Sequence, residues 1–226
     1  MTSQRELLEL QNLLDSARER EKRAIVALAP KHKGGEMEEW LAASESVLSA
    51  ERAIARALGE EFAVPINFPV QWDSGAPLPY LLQSEYKTYL VFFLQESDPN
   101  WNGTFTTVRH PDSSETSKIA LVEFKQCISA KLGSPNDEVL NGHPLSGRGF
   151  QGDRPMIVNN SNWAKELQTI NSVHNQYRPE RWNGIQHFIF GFHDSTFECV
   201  AGSFAVEVFE ATLPFVLAEV CKRLLQ

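Results

Sequence analysis

The chain holds only three cysteines, Cys127, Cys199 and Cys221, far apart and each beside apolar residues. An odd, dispersed set of this kind reads as buried thiols and argues against a disulfide framework. No stretch approaches the roughly 20 apolar residues of a membrane span. The first residues, Met-Thr-Ser-Gln-Arg-Glu-Leu-Leu, carry charge where a signal peptide has its apolar region. The expected setting is a reducing cytoplasm, with no membrane partner. Basic residues are also in deficit, 21 Lys and Arg against 29 Asp and Glu, for a formal net charge of -8. Phosphate binding depends on concentrated cations, so nucleic acid is not an expected partner.

Several short signatures are missing. There is no Gly-Lys-Ser/Thr of a P-loop, no His-Glu-x-x-His, no cysteine pair at zinc spacing and no Gly-x-Ser-x-Gly elbow. Gly147-Arg-Gly149-Phe-Gln-Gly152 satisfies Gly-x-Gly-x-x-Gly, but no strand leads into it and Asp153-Arg154-Pro155 follows where a helix should start. Neither a dinucleotide nor a P-loop nucleotide is expected. Internal repeats and low-complexity tracts are absent as well.

What the chain does have is clear periodicity at its start. Leu7, Leu10, Leu14, Ala17, Ala24 and Leu28 recur at alternating three and four spacing, interrupted at Glu21, which predicts an amphipathic helix over 3–28. Pro30 and Lys31-His-Lys-Gly-Gly35 end it. Trp40, Val47, Ile54 and Leu58 mark a second helix from Glu36 to about Glu61, with Glu36, Glu38 and Glu39 where the helix dipole favours acids. The short connection makes the two antiparallel neighbours. One seam cannot cover all of their apolar surface, so residues 1–60 are the candidate surface for a homo-oligomer or for docking on the main domain.

Pro65, Pro69, Pro77 and Pro79 with Gly75 predict a rigid connector over 63–80, held against the body by Phe68 and Trp72. The domain organisation expected is therefore a helical hairpin over 1–62, this connector, and a domain over 81–226. Within that domain 86–94, 104–108 and 118–124 read as an antiparallel meander, 186–192 and 196–201 as a hairpin across Asp194-Ser195, and 204–209 as a further strand. A helix over 161–177 would align Trp163, Leu167, Ile170, His174 and Tyr177, making His174 a hydrogen-bonded core histidine. A last helix over 212–225, capped by Thr212, would lay Leu213, Leu217, Val220 and Leu224 on the sheet. The fold class is α+β: an N-terminal antiparallel helical hairpin, then a mostly antiparallel sheet domain with two packed helices.

Chemistry concentrates in His187-Phe-Ile-Phe-Gly-Phe-His193-Asp-Ser-Thr-Phe-Glu198-Cys. Strand alternation sorts Phe188, Phe190, Phe192, Phe197 and Cys199 to one face and His187, His193, Thr196 and Glu198 to the other. A turn at Asp194-Ser195 would set Gly191 opposite Glu198, leaving an open spot there. His187 or His193 could then serve as a base oriented by Glu198 or Asp194, or His187, His193 and Glu198 could bind a divalent metal. A solvated sheet face, or a core histidine satisfied by Glu198, would carry no chemistry at all. Cys199, in aromatic company, is a poor nucleophile.

The second candidate is the long Gly-rich loop between Asn136 and Pro155, where His143, Arg148 and Arg154 could hold a carboxylate or phosphate. Two functions follow. One is a small-molecule enzyme of hydrolase or lyase type, with catalytic His187, His193, Asp194 and Glu198 and with His143, Arg148, Arg154 and Thr196 binding an anionic substrate. The other is a non-catalytic ligand-binding or protein-interaction module acting through the helical hairpin.

Overall fold

The structure, a computed structural model, describes residues 3–28, 35–96 and 110–226. The helix stop at 30–34, the turn at 98–103 and the strand expected over 104–108 lie outside the described residues. In chain order the elements are α1 (Gln4–Leu28), α2 (Gly35–Leu58), β1 (Phe62–Pro65), β2 (Tyr80–Gln83), β3 (Thr88–Phe93), β4 (Ser117–Lys125), β5 (Ser129–Gly133), β6 (Pro155–Asn159), α3 (Asn162–Asn171), β7 (Gln186–Gly191), β8 (Thr196–Ala201), β9 (Ser203–Ala211) and α4 (Leu213–Leu224). The class is α+β, with two packed N-terminal helices followed by antiparallel sheets and further helices. None of the described helices is long and apolar enough to cross a membrane.

Contacts divide the chain into two compact units. One comprises Met1–Val64, Pro144–Phe150 and Val158–Ser161; the other comprises Pro65–His143, Gln151–Ile157 and Asn162–Gln226.

In the first unit α1 and α2 run antiparallel: Arg20 Nε reaches Glu39 Oε1 at 2.8 Å, while Leu10 and Ala53 line one groove further along. Leu14 and Ala24 of α1 and Ala43, Val47 and Ala55 of α2 are buried. The second helix ends at Leu58, the last residue of the apolar spacing and short of the expected end near Glu61, because Gly59 takes φ +72°. The Gly59 and Glu60 amides then close back onto the Arg56 and Ala55 carbonyls at 3.1 and 2.9 Å, a Schellman cap that satisfies otherwise orphaned carbonyls. Two charged residues of α2, Glu51 and Arg52, are buried. Arg52 Nε donates to Ala63 O at 3.0 Å and Nη2 to Gly149 O at 3.2 Å, and the Gly149 amide donates to Glu51 Oε2 at 3.2 Å.

In the second unit β2-β3-β4-β9 form an antiparallel sheet, and β7, β8 and β5 are neighbours in that order in another. The pairs β5–β8 and β7–β8 are antiparallel. Alternation gives the strands two apolar faces. Leu90, Phe92, Val122 and Phe124 of one sheet meet Phe188, Phe190, Phe197 and Cys199 of the other in an aromatic core closed by Trp72. Tyr89, Val91, Ile119 and Leu121 point the opposite way and are covered by Leu213, Val216 and Val220 of α4. Thr212 caps that helix by accepting from the Phe215 amide at 3.4 Å.

The third helix is shorter than expected, ending at Asn171 instead of Tyr177. Thr169 Oγ1, Asn171 Nδ2 and Ser172 Oγ all donate to carbonyls of the preceding turn, offering the backbone an alternative to continued helix. His174 consequently falls beyond the helix and is exposed, its Nδ1 accepting from the Gln176 amide at 3.1 Å. It is not the core histidine that helical spacing suggested.

Candidate acid/base site

The β7–β8 hairpin pairs Gly191 with Thr196, Phe190 with Phe197 and Ile189 with Glu198. The Phe192 amide donates to Ser195 O at 2.8 Å, so the turn residues are His193-Asp194. The expected turn at Asp194-Ser195 is thus corrected, and every cross-strand partner moves by two positions. Side chains alternate with period two, so an even shift leaves each on the face assigned from the sequence.

Glu198 stands at the centre of the polar face. Lys131 is its direct partner in the β5–β8 register, and Lys131 Nζ lies 2.7 Å from Glu198 Oε1. His187 sits diagonally across β7, its Nε2 2.9 Å from Glu198 Oε2. His143, in the loop after the 3-10 helix Asp137–Gly142, brings its Nε2 to 4.0 Å from Oε1. Trp163 of α3 closes the group: its ring meets His187 edge-on at 5.1 Å between centroids, and Lys131 Nζ lies 4.7 Å from its centre.

Burial alone would raise the pKa of Glu198. The surrounding His143, His187 and Lys131 outweigh that cost and hold the carboxyl well below its ordinary 4.5. The ionised carboxylate can only accept, so His187 Nε2 carries a proton and donates it. Side-chain exposure is 4% for His187, 9% for His143 and 11% for Glu198, whereas Lys131 is 58% exposed. Lys131 is the member of the cluster that solvent reaches most readily.

The remaining sequence candidates lie elsewhere. His193 is exposed in the hairpin turn, its Nδ1 3.0 Å from Asp194 Oδ1 and its Nε2 3.8 Å from Asp137 Oδ2. Thr196 is buried and donates to Pro135 O at 2.9 Å, anchoring the segment after β5. Arg148 belongs to the first unit, where Nη2 pairs with Glu60 Oε2 at 3.2 Å, and Arg154 lies 3.8 Å from its neighbour Asp153. Of the loop residues expected to bind an anion, only His143 joins Glu198. No open spot faces Glu198 at Gly191: that glycine opposes Thr196, and a Cβ there would lie 2.7 Å from Gly152 Cα.

Among the described residues no group of three or more His, Cys, Asp and Glu is placed to hold a metal ion, and His193 does not join His187 and Glu198. Lys131 and Trp163 complete the site without having been singled out in the sequence for that role. Alternation of Ala130 and Leu132 toward the core, with Lys131 pointing away, was the available signal. Comparison with family models, curated proteins and solved structures gives no match for this chain.

Proposed function

We propose that the chain is a cytoplasmic small-molecule enzyme of the hydrolase or lyase type, acting at the Glu198 cluster on an anionic substrate. In this reading Lys131 receives the anionic group, His187 moves the proton, and Glu198 holds His187 in one tautomer. His143 lies beside the carboxylate, and the Trp163 ring meets the imidazole edge-on. The observation that carries the reading is an ionised, buried carboxylate shared between a buried imidazole and a largely exposed lysine, 2.9 and 2.7 Å away. Clusters whose charge states are set by burial and neighbours are where acid/base chemistry is found.

The test is a panel of small anionic esters, phosphomonoesters and hydroxy acids, assayed with the full chain and with His187→Gln. The parent protein should turn over at least one of them and the variant should lose roughly 10²-fold or more, the scale of a general acid/base, with circular dichroism unchanged. Equal turnover by a folded variant, or no turnover of any member by the parent protein, would refute it.

A second reading, an interaction module, draws on the first unit. Leu8, Leu13, Ile25, Val26, Leu41 and Leu58 are each more than half exposed, and a groove between α1 and α2 is lined by Leu10, Leu13, Ala17, Ala42, Ala50 and Ala53. A second copy of the hairpin is the occupant proposed here. Sedimentation of the full chain and of Leu13→Glu decides the point: a dimer made monomeric supports it, and an already monomeric parent protein removes it.

A further inference from the structure

We propose that Cys127 and Cys199 form a peroxide-oxidisable dithiol, in which Cys127 is oxidised first and Cys199 resolves it to a reversible disulfide. Cys127 lies between β4 and β5, where the chain passes from one sheet to the other; it is partly exposed. Cys199 is fully buried on β8, opposite Phe188 in the core. Their sulfurs are 3.4 Å apart, and a disulfide requires roughly 2.05 Å.

Backbone hydrogen bonds hold the two segments together on both sides of Cys127. The Ile128 amide donates to Val200 O at 2.8 Å, and the Gly202 amide donates to Lys125 O at 2.9 Å. Closing the pair therefore requires side-chain movement and no strand separation. The thiols are also differentiated. The hydrogen bond with Cys199 brings the pKa of Cys127 down to about 7 against the effect of burial, with Thr88 and the Ser129 amide lowering it further. The hydrogen bond to Cys127, then burial, push the Cys199 thiol far up, so the partly exposed Cys127 is the thiol that ionises first.

The chemistry balances with hydrogen peroxide as oxidant. The Cys127 thiolate attacks one peroxide oxygen, the O–O bond breaks, and the product is Cys127–SOH with hydroxide, which takes a proton to become water. Cys199 sulfur then attacks the sulfenic sulfur. The S–O bond breaks, and the Cys199 proton leaves with the departing hydroxide as a second water. Two thiols are oxidised and one peroxide is reduced.

The experiment uses the full chain carrying Cys221→Ser, since Cys221 is exposed and would compete for oxidant. After peroxide treatment, intact mass and non-reducing peptide mapping should show loss of two hydrogens and one cross-link joining Cys127 to Cys199, both reversed by dithiothreitol. Retention of both thiols, or oxygen accumulating on Cys127 without a cross-link, overturns the proposal. In Cys199→Ala, dimedone should trap the sulfenic acid on Cys127. If removing this core side chain prevents folding, Cys127→Ser takes its place and should consume no peroxide; consumption at the parent rate overturns the proposal.

Discussion

A Cβ on Gly149 would lie 2.5 Å from Arg52 Cγ and 2.9 Å from Ala63 O, and Gly149 sits at φ +80°. Glycine is required there on two counts, conformation and space, because the buried Glu51 and Arg52 grip its amide and carbonyl. Gly149→Ala should cost about 1–3 kcal/mol for the left-handed backbone alone, with steric displacement adding to it. Urea denaturation checks this, and a loss under about 0.5 kcal/mol, typical of a neutral surface change, would contradict the clamp.

Gly191 makes a different demand. Its backbone is not in the left-handed region, but Gly152 occupies the space above it: a Cβ added to Gly191 would stand 2.7 Å from Gly152 Cα and 2.8 Å from Gly152 O. Gly191→Ala must push a backbone segment away, so a loss of about 1–3 kcal/mol is expected from overpacking. Thermal unfolding of the variant measures it.

Glu198 links the site to stability. Removing it deprives the buried His187 Nε2–H of its Glu198 acceptor, so Glu198→Ala should cost roughly 1–3 kcal/mol. Its folded-state pKa is depressed, so the unfolded chain takes up this proton first as the pH falls. The stability it contributes is whole above about pH 4.5 and is lost on acidification as the folded carboxyl itself titrates. The gap in urea midpoint between the parent protein and Glu198→Gln should therefore narrow steadily below that pH. A gap that stays constant would show that the charge of Glu198 is not what matters.

His193 should titrate above 6.5, chiefly through its hydrogen bond to Asp194, with Asp137 and Glu138 adding charge attraction. NMR of the imidazole in the parent protein and in Asp194→Asn should show the midpoint moving back down in the variant. No movement would remove Asp194 as the cause. Because this residue sits in an exposed turn, turnover should survive His193→Ala.

Sequence periodicity made the hairpin faces legible even though the turn was misplaced by one residue, because the shift in pairing was even. His187 and Glu198 could therefore be assigned to one face before their contact was known. Lys131 could not, since Ser-Ala-Lys-Leu-Gly is weak strand material and gains its strand from pairing with β8. Glu51 and Arg52 were invisible for a similar reason: adjacent charges on a helix read as solvated until a distant loop supplies their partners. The three cysteines read as buried thiols, yet only Cys199 is, Cys127 being partly buried and Cys221 exposed, and nothing in the local sequence of Cys127 points to a second cysteine 72 positions away.

The role of Lys131 is the most direct test of the acid/base reading. Lys131→Met keeps the aliphatic length against Trp163 and removes the charge, so unfolding should shift by no more than about 1 kcal/mol, the usual scale of a largely exposed pair. With an anionic substrate from the panel, KM should rise by roughly 10-fold or more, the worth of one charge-assisted contact, with kcat changed far less. A folded variant with unchanged KM would contradict it.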